Sequence, residues 1–331
     1  MVSNALLSIK NLCVDFNTDR GSLNVLDRVS FDIQAGKTLG LVGESGCGKS
    51  VTSLSIMNLL PQPSGIVRSG QILYKGKDLK ELSGKAMQEI RGNRIAMIFQ
   101  EPMTALNPVK TIGKQIIEVF DLHRKEMSKK QKFEEALAVL EKVGISEANK
   151  RMGEFPHQLS GGMRQRVMIA MALACKPDLL IADEPTTALD VTIQAQILDL
   201  MKSIQDEYGM AILFITHDLG VIAELCDDVV VMYAGRVIEK SSVNELFDNP
   251  KHPYTQGLLD SIPKLDQASK SRLSTIEGQV PSLFDMPNGC RFSNRCQYAK
   301  SDCNTLGVEF VNKESGSHVN CLHWQEITHG Q

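Results

Sequence analysis

The sequence Gly43-Glu44-Ser45-Gly46-Cys47-Gly48-Lys49-Ser50 matches the pattern G-x-x-x-x-G-K-S. An apolar run at residues 38–42 predicts a buried strand before it, and residues 51–60, from Val51 onward, predict a helix after it. In such a strand–loop–helix several backbone N–H groups point at one anion, and the positive end of the helix dipole favours that anion. We therefore predict that residues 43–51 bind ATP, with Lys49 reaching the β- and γ-phosphates and the Ser50 hydroxyl on Mg²⁺.

The remaining pattern predicts an α/β protein. Alternating stretches within residues 5–34 indicate strands of an antiparallel β flank, and residues 101–165 are predicted to be a helical insert. Apolar runs that recur between helical stretches indicate a mostly parallel sheet. These runs lie at residues 179–182, 211–215 and 229–232. Periodicity fades from about residue 245, so we predict a nucleotide-binding domain at 1–244 and a C-terminal extension at 245–331.

Bulk properties exclude several classes of protein. The 331-residue chain carries a formal charge of −3, which predicts no electrostatic attraction to nucleic acid. We find neither a secretory signal nor an apolar run of the roughly eighteen residues needed to cross a bilayer. We therefore expect a cytosolic chain whose eight cysteines form no structural disulfides.

Polar residues follow the predicted core strands. Asp183 and Glu184 come directly after the strand at 179–182. We predict that Asp183 holds Mg²⁺, directly or through water, and that Glu184 is the general base that polarises the attacking water. His217 follows the next strand and is a candidate donor to the γ-phosphate. Gln100 ends another apolar run, and its amide is a candidate ligand of Mg²⁺ or of the water.

A second candidate anion site lies at Ser160, Gly161 and Gly162, which precede a helix-like stretch. These residues expose backbone N–H groups at a helix start. Unlike the first site, the second has neither a lysine nor a hydroxyl for magnesium. This asymmetry indicates that it completes a nucleotide pocket on a partner subunit.

Over residues 5–240 the chain resembles the ATP-binding subunits of ABC transporters. The expected motifs occur in order: the phosphate loop, Gln100, Leu159-Ser160-Gly161-Gly162, Asp183-Glu184, Ala188-Leu189-Asp190 and His217. The resemblance implies an ABC-type P-loop ATPase core, in which two subunits enclose two ATP molecules head to tail. It further implies that Phe16 stacks on adenine, that Ser160, Gly161 and Gly162 contact the partner's γ-phosphate, and that Asp190 lies on the dimer seam. Met163 stands where this family usually has glutamine.

The C-terminal extension is similar to that of dipeptide and oligopeptide uptake ATPases, through residues 252–256 and 287–290. Four cysteines lie there, Cys290, Cys296, Cys303 and Cys321, with five, six and seventeen intervening residues. Four thiolates suffice for one zinc ion or one [4Fe–4S] cluster, and the spacing lacks the C-x-x-C pairs common in zinc sites. The resemblance favours the iron–sulfur cluster. His318 and His323 are candidate substitute ligands that we expect at the surface.

The resemblance implies a peripheral ATPase at the cytoplasmic face of the inner membrane, energising import of short peptides. It implies two transmembrane permease subunits, an extracytoplasmic solute-binding protein and a second ATPase subunit, either a related chain or an identical copy. Nickel, glutathione or a sugar remains an alternative cargo. A soluble ABC-type ATPase of translation or DNA repair is the alternative class.

Overall fold

The structure, a computed structural model, describes residues 5–100, 105–187, 189–262, 275–305, 311–312 and 317–327. Two predicted features, residues 101–103 of the insert and Ala188 of the Ala-Leu-Asp motif, lie outside this part of the chain. The strands are β1 Ala5–Thr18, β2 Gly21–Gln34, β3 Thr38–Val42, β4 Gly65–Tyr74, β5 Lys77–Asp78, β6 Ile95–Ile98, β7 Leu179–Asp183, β8 Ala211–Thr216, β9 Asp228–Tyr233, β10 Arg236–Ser242, β11 Val311–Asn312 and β12 His318–Val319.

The helices are α1 Lys49–Ile56, α2 Gly84–Ile90, α3 Ile112–His123, α4 Lys129–Lys142, α5 Ala148–Arg151, α6 Gly161–Leu173, α7 Val191–Tyr208, α8 Leu219–Leu225, α9 Val243–Asp248 and α10 Pro253–Asp260. Contacts divide the chain into two compact units. The first contains residues 1–6, 33–37 and 81–215, and the second contains residues 7–32, 38–80 and 216–331. None of the described helices is both long and apolar enough to cross a membrane.

In the first unit, β6, β7 and β8 are parallel neighbours, with Leu179 of β7 paired to Ile95 on one side and Ala211 on the other. Every residue of β7 is buried, which explains its uninterrupted apolar run. Helices α3, α4 and α6 pack on one another. The described part of the predicted insert is therefore helical. The parallel arrangement places the carboxyl ends of β6 and β7 at one edge, where Gln100 and Glu184 follow.

The second unit contains an antiparallel sheet in the order β2-β1-β4-β5, which is the predicted flank. Its strand β4 was not expected, because glycine and polar residues at 68–71 interrupt the apolar residues of this stretch. In the same unit β3 and β9 are parallel, whereas β10 joins β9 in the antiparallel direction and β12 joins β10. The sheet content is consequently more mixed than the mostly parallel arrangement that the sequence predicts.

Helix α1 is shorter than predicted and ends at Ile56 rather than at residue 60. Asn58 adopts a left-handed backbone conformation with φ 50°, and Leu59 N–H donates to the Leu54 carbonyl at 2.8 Å. Pro61 and Pro63 follow, and proline neither donates the next helical hydrogen bond nor permits the helical geometry before it. These residues end the helix after two turns.

The extension packs into the second unit through aromatic side chains. Tyr254, on α10, is fully buried. Its ring lies 4.8 Å from Tyr233 on β9 and 5.4 Å from Phe292, in edge-on geometry. Such pairs contribute about 0.5–1.5 kcal/mol beyond the buried area. The extension therefore shares apolar packing with β9.

Candidate active site

The phosphate loop between β3 and α1 depends on glycines. Gly43, Gly46 and Gly48 have φ values of 150°, 79° and 102°, a region that other residues rarely adopt. A Cβ atom on Gly43 would lie 2.2 Å from the Met232 carbonyl oxygen. The loop therefore curls as the sequence pattern predicts, and it does so directly against β9.

Lys49 points into this loop and is buried. Its Nζ donates to the Gly43 carbonyl at 2.7 Å and to the Glu44 carbonyl at 3.1 Å. Burial raises the pKa of the neighbouring Cys47 thiol, although Lys49 opposes the shift. The centre of the loop thus carries an ammonium group beside a neutral thiol, a charge pattern suited to an anion.

Four other predicted residues lie in the same unit. Ser50 and Val51 are both half-buried residues of α1. Phe16 is paired with Gly65, on β4, where a Cβ atom would lie 3.2 Å from the Phe16 ring. His217 is exposed directly after β8, and the following Asp218 accepts hydrogen bonds from the first N–H groups of α8.

Glu184 and Gln100 are brought together in the first unit. Gln100 Nε2 donates to Glu184 Oε2 at 3.0 Å, and Thr187 Oγ1 donates to the same oxygen at 3.0 Å. Glu184 has φ 46°, a left-handed conformation in which a residue with a side chain is strained. The Glu184 N–H donates to the Ile215 carbonyl at 2.9 Å. The turn after β7 therefore holds this carboxylate in a defined direction.

Asp183 ends β7 and is 3% exposed. Its carboxylate and the Gln100 amide, both in the first unit, offer oxygen, the ligand atom that Mg²⁺ prefers in proteins. Since a buried carboxylate needs a positive partner or hydrogen bonds, the chemistry of this donor set fits Mg²⁺.

The second candidate anion site lies at the start of α6. The Ser160 hydroxyl accepts a hydrogen bond from Met163 N–H at 3.3 Å and caps the helix. Asp190 caps α7 in the same way, through Ile193 N–H at 3.0 Å. The two helix starts approach each other, because a Cβ atom on Gly162 would lie 3.2 Å from Ile193. Among the described residues, no atom lies within 4 Å of a Cβ atom placed on Gly161.

The four cysteines of the extension lie close to one another, and all are free. Cys290 N–H donates to the Cys303 carbonyl at 2.7 Å. Burial, together with the other three thiols, raises the pKa of Cys321 to about 12. Thiols that share a half-buried site in this way become stable thiolates only when a cation joins them.

One group of possible metal ligands includes a thiol of this set. Asp302, Cys303 and His323 each offer a ligand atom, and these atoms lie within 4.8 Å of one another. The structure therefore places His323, a candidate substitute ligand, beside one of the four cysteines. His323 is 15% exposed and 2.9 Å from Asp302, so the expected surface position is wrong for this histidine.

Three residues at these sites were missed by the sequence analysis. Thr187 holds Glu184, and Tyr254 and Arg295 both contact Glu44 of the phosphate loop. Tyr254 lies in a motif that the sequence analysis singled out without assigning it a role. Arg295 carries no local signal, because its partner is 251 residues away.

The loop, the strand-end carboxylates and the capped glycine helix define an ATP-binding cassette. Residues 26–187 match the family described as ABC transporter. Residues 238–303 match the oligopeptide/dipeptide transporter C-terminal region. The dimeric structure of MJ0796, a bacterial ABC transporter cassette, aligns with a TM-score of 0.64 and 27% identity, covering 72% of this chain and 98% of that one.

Relatives extend the similarity over almost the whole chain. A putative peptide import ATP-binding protein of Brucella melitensis is 52% identical over 97% of this chain and 98% of its own length. The dipeptide transport ATP-binding protein DppD of Bacillus subtilis is 52% identical over 96% of this chain and 94% of its own length. This chain belongs to the dipeptide/oligopeptide branch of the ABC transporter ATP-binding proteins, and it is an ATPase of that family.

Proposed function

We propose that this chain hydrolyses ATP to energise the import of short peptides through partner permease subunits. The observation that carries the proposal is the phosphate loop closed around Lys49, together with the Glu184 carboxylate held by Gln100 and Thr187. Relatives at about half identity are named for peptide import, which supports peptides as cargo.

Nucleotide binding begins with an exchange of partners at Lys49. Its ammonium group now bonds the Gly43 and Glu44 carbonyls, and it turns to the β- and γ-phosphates when ATP enters. The N–H groups of the loop and the first turn of α1 bind the phosphate oxygens. Phe16 stacks on the adenine.

Hydrolysis follows from the position of Glu184. Its carboxylate accepts a proton from the attacking water, while Gln100 and Thr187 keep one carboxylate oxygen oriented. His217 donates a hydrogen bond to the γ-phosphate. Ser50, Gln100 and Asp183 would hold Mg²⁺, which would supply positive charge to neutralise the phosphate oxygens.

A second cassette completes each site in this proposal. Ser160, Gly161 and Gly162 bind the γ-phosphate held by the partner, and Asp190 lies on the seam. Hydrolysis removes the shared phosphate and lets the subunits part. The second cassette is a related chain or an identical copy. Two permeases and an extracytoplasmic solute-binding protein complete the transporter, with this chain at the cytoplasmic face of the membrane.

We further propose that Cys290, Cys296, Cys303 and Cys321 hold a [4Fe–4S] cluster. Four free thiols whose spacing in the sequence lacks the C-x-x-C pairs common in zinc sites support the cluster over zinc. The cluster would tie together a segment with little regular secondary structure between 275 and 305. The division into domains at 244/245 remains part of this proposal.

The metal is tested on full-length protein purified without oxygen. We expect brown protein with about four iron and four sulfide per chain. Each cysteine replaced by serine should lower both. Colourless protein with one zinc per chain would show that the cluster assignment is wrong.

The transport function is tested in cells of the source organism that carry Lys49→Ala in place of the natural chain. We expect uptake of a labelled tripeptide to fall to the background level, because the phosphate loop loses its cation. Uptake of a free amino acid is the control. Normal tripeptide uptake together with lost uptake of nickel, glutathione or a sugar would replace peptides by that cargo. No change in any uptake would contradict the transport role.

A further inference from the structure

The C-terminal extension contacts the phosphate loop through Arg295. Its guanidinium donates to both carboxylate oxygens of Glu44, at 2.7 Å and 3.0 Å. The Arg295 side chain is 4% exposed. The Glu44 side chain is half-buried, and a partly buried, bidentate pair of this kind is stronger and more directional than a surface ion pair. Arg295 is therefore a fixed part of the loop's surroundings.

Arg295 is itself held rigidly. Its Nε donates to the Glu277 carbonyl at 3.0 Å, and its Nη2 donates to the Gly278 carbonyl at 3.2 Å. The guanidinium also lies over the rings of Tyr233 and Phe292, at 5.8 Å and 6.0 Å from their centroids. The cation is held in one position before any nucleotide arrives.

The extension makes one further direct contact with the loop and one indirect contact through the turn between β9 and β10. The Tyr254 hydroxyl oxygen accepts a hydrogen bond from Glu44 N–H at 2.9 Å. Arg291 donates to the Ala234 carbonyl, and the next residue, Gly235, donates its N–H to the Cys47 carbonyl at 2.9 Å. The loop is thus held at both Glu44 and Cys47.

The position of Glu44 explains why these contacts affect ATP binding. Its carboxylate belongs to the second residue of a loop that binds the anionic phosphates of ATP. The negative charge of the Glu44 carboxylate repels these phosphates, and the repulsion grows where water is excluded. Arg295 neutralises the carboxylate and turns it toward the extension.

We propose that Arg295 is a positioning residue for ATP, which lowers the Kd of the nucleotide by neutralising Glu44 and holding the phosphate loop. The proposal rests on the nucleotide site described above. Because Arg295 directly precedes Cys296, the segment that carries two of the four clustered thiols also sets the shape of the ATP site.

The test measures the Kd of Mg-ATP for the full-length chain, by displacement of a fluorescent ATP analogue at low and high salt. We expect Arg295→Gln to raise the Kd about fivefold to tenfold at low salt and less at high salt, since screening weakens the repulsion. The kcat at saturating ATP should stay within about twofold. Arg295→Lys keeps the charge but cannot bind both carboxylate oxygens in the same way, so its Kd should lie between those of the wild type and Arg295→Gln.

Rescue separates electrostatics from a general loss of structure. The double variant Glu44→Gln/Arg295→Gln should bind ATP more tightly than Arg295→Gln alone, because the uncompensated carboxylate is gone. Lys300→Gln is the matched control: it removes a cation from the same extension, where Lys300 pairs with Glu326, and should leave the Kd unchanged.

Two results would overturn the inference: a wild-type Kd in Arg295→Gln, or a double variant that binds no better than the single one. Lys49→Ala distinguishes this failure from failure of the nucleotide site. If Lys49→Ala loses ATP binding while Arg295→Gln does not, the site stands and the role of Arg295 is wrong. If Lys49→Ala binds ATP normally, the site itself is wrong.

Discussion

Glu184 shows how a single residue combines strain with function. A left-handed conformation costs a residue with a side chain about 1–3 kcal/mol, and the surrounding structure must enforce it. Here the Glu184 N–H is held by the Ile215 carbonyl, and the carboxylate is held by Gln100 and Thr187. The strain directs the carboxylate out of the end of β7, which a relaxed strand would not do.

We expect Glu184→Gln to lower the rate of ATP hydrolysis about 100-fold or more, because an amide does not accept the proton of the attacking water. ATP binding should remain, so the variant should persist as an ATP-loaded closed dimer with its partner cassette. Phosphate release and gel filtration measure the two effects. Glu224→Gln, at an exposed glutamate on α8, is the control and should hydrolyse ATP at the wild-type rate. Rapid turnover in Glu184→Gln would contradict the general-base role.

At the scale of helices and strands, the α/β character and the loop motifs are predictable, because both depend on local pattern. The buried runs of β7, β8 and β9 and the glycines before Lys49 are read directly from the chain. The sequence analysis missed strand β4. Residues 65–74 form a strand because they pair with β1, and their own composition does not indicate one.

The sequence analysis did not predict the helices and the buried aromatic packing of the extension, for a related reason. Helices α9 and α10 are only six and eight residues long, too short for a clear period. Tyr254 is buried by packing against Tyr233 and Phe292, which the sequence does not place side by side. The left-handed backbone of Glu184 and the pair Arg295–Glu44 depend on long-range contacts, and no local signal reports them.

The start of α10 makes a prediction about pH. His252 is completely buried, and burial lowers its pKa to about 3. Its Nδ1 accepts a hydrogen bond from Tyr254 N–H at 3.1 Å, which requires that nitrogen to be unprotonated. An unfolded histidine has a pKa of about 6.5, so between these values the unfolded chain binds more protons than the folded chain. Stability contributed by this group is complete above about pH 6.5 and falls as the pH falls below it.

Between pH 7 and pH 5, we expect the free energy of unfolding of the wild type to fall by about 2 kcal/mol more than that of His252→Asn. Asparagine also caps a helix start but does not titrate in this range. Urea unfolding at both pH values measures the difference. His157→Asn, at an exposed histidine, should behave like the wild type. Equal losses in the wild type and His252→Asn would show that the buried ring does not carry this dependence.

At the scale of the whole molecule, the chain carries two anion sites of different kinds. The phosphate loop has its own cation in Lys49, whereas the start of α6 offers a hydroxyl, glycines and N–H groups. An ATPase that used both sites on one nucleotide within one chain would need no partner. The proposed arrangement instead assigns the second site to the nucleotide of a facing cassette, so each chain contributes half of two sites.

This division predicts that binding and hydrolysis separate in Ser160→Asp. Aspartate still caps α6, so the helix should be preserved, but its charge repels the γ-phosphate held by the partner. We expect the variant chain to bind ATP with a Kd within about twofold of the wild type. Hydrolysis by the assembled transporter should fall about tenfold or more, which corresponds to at least about 1.4 kcal/mol of lost stabilisation. Ser160→Asn, a neutral cap of similar size, should lose much less activity. If Ser160→Asp instead weakened ATP binding by the isolated chain as strongly as Lys49→Ala does, the two anion sites would serve one nucleotide, and the paired arrangement would be wrong.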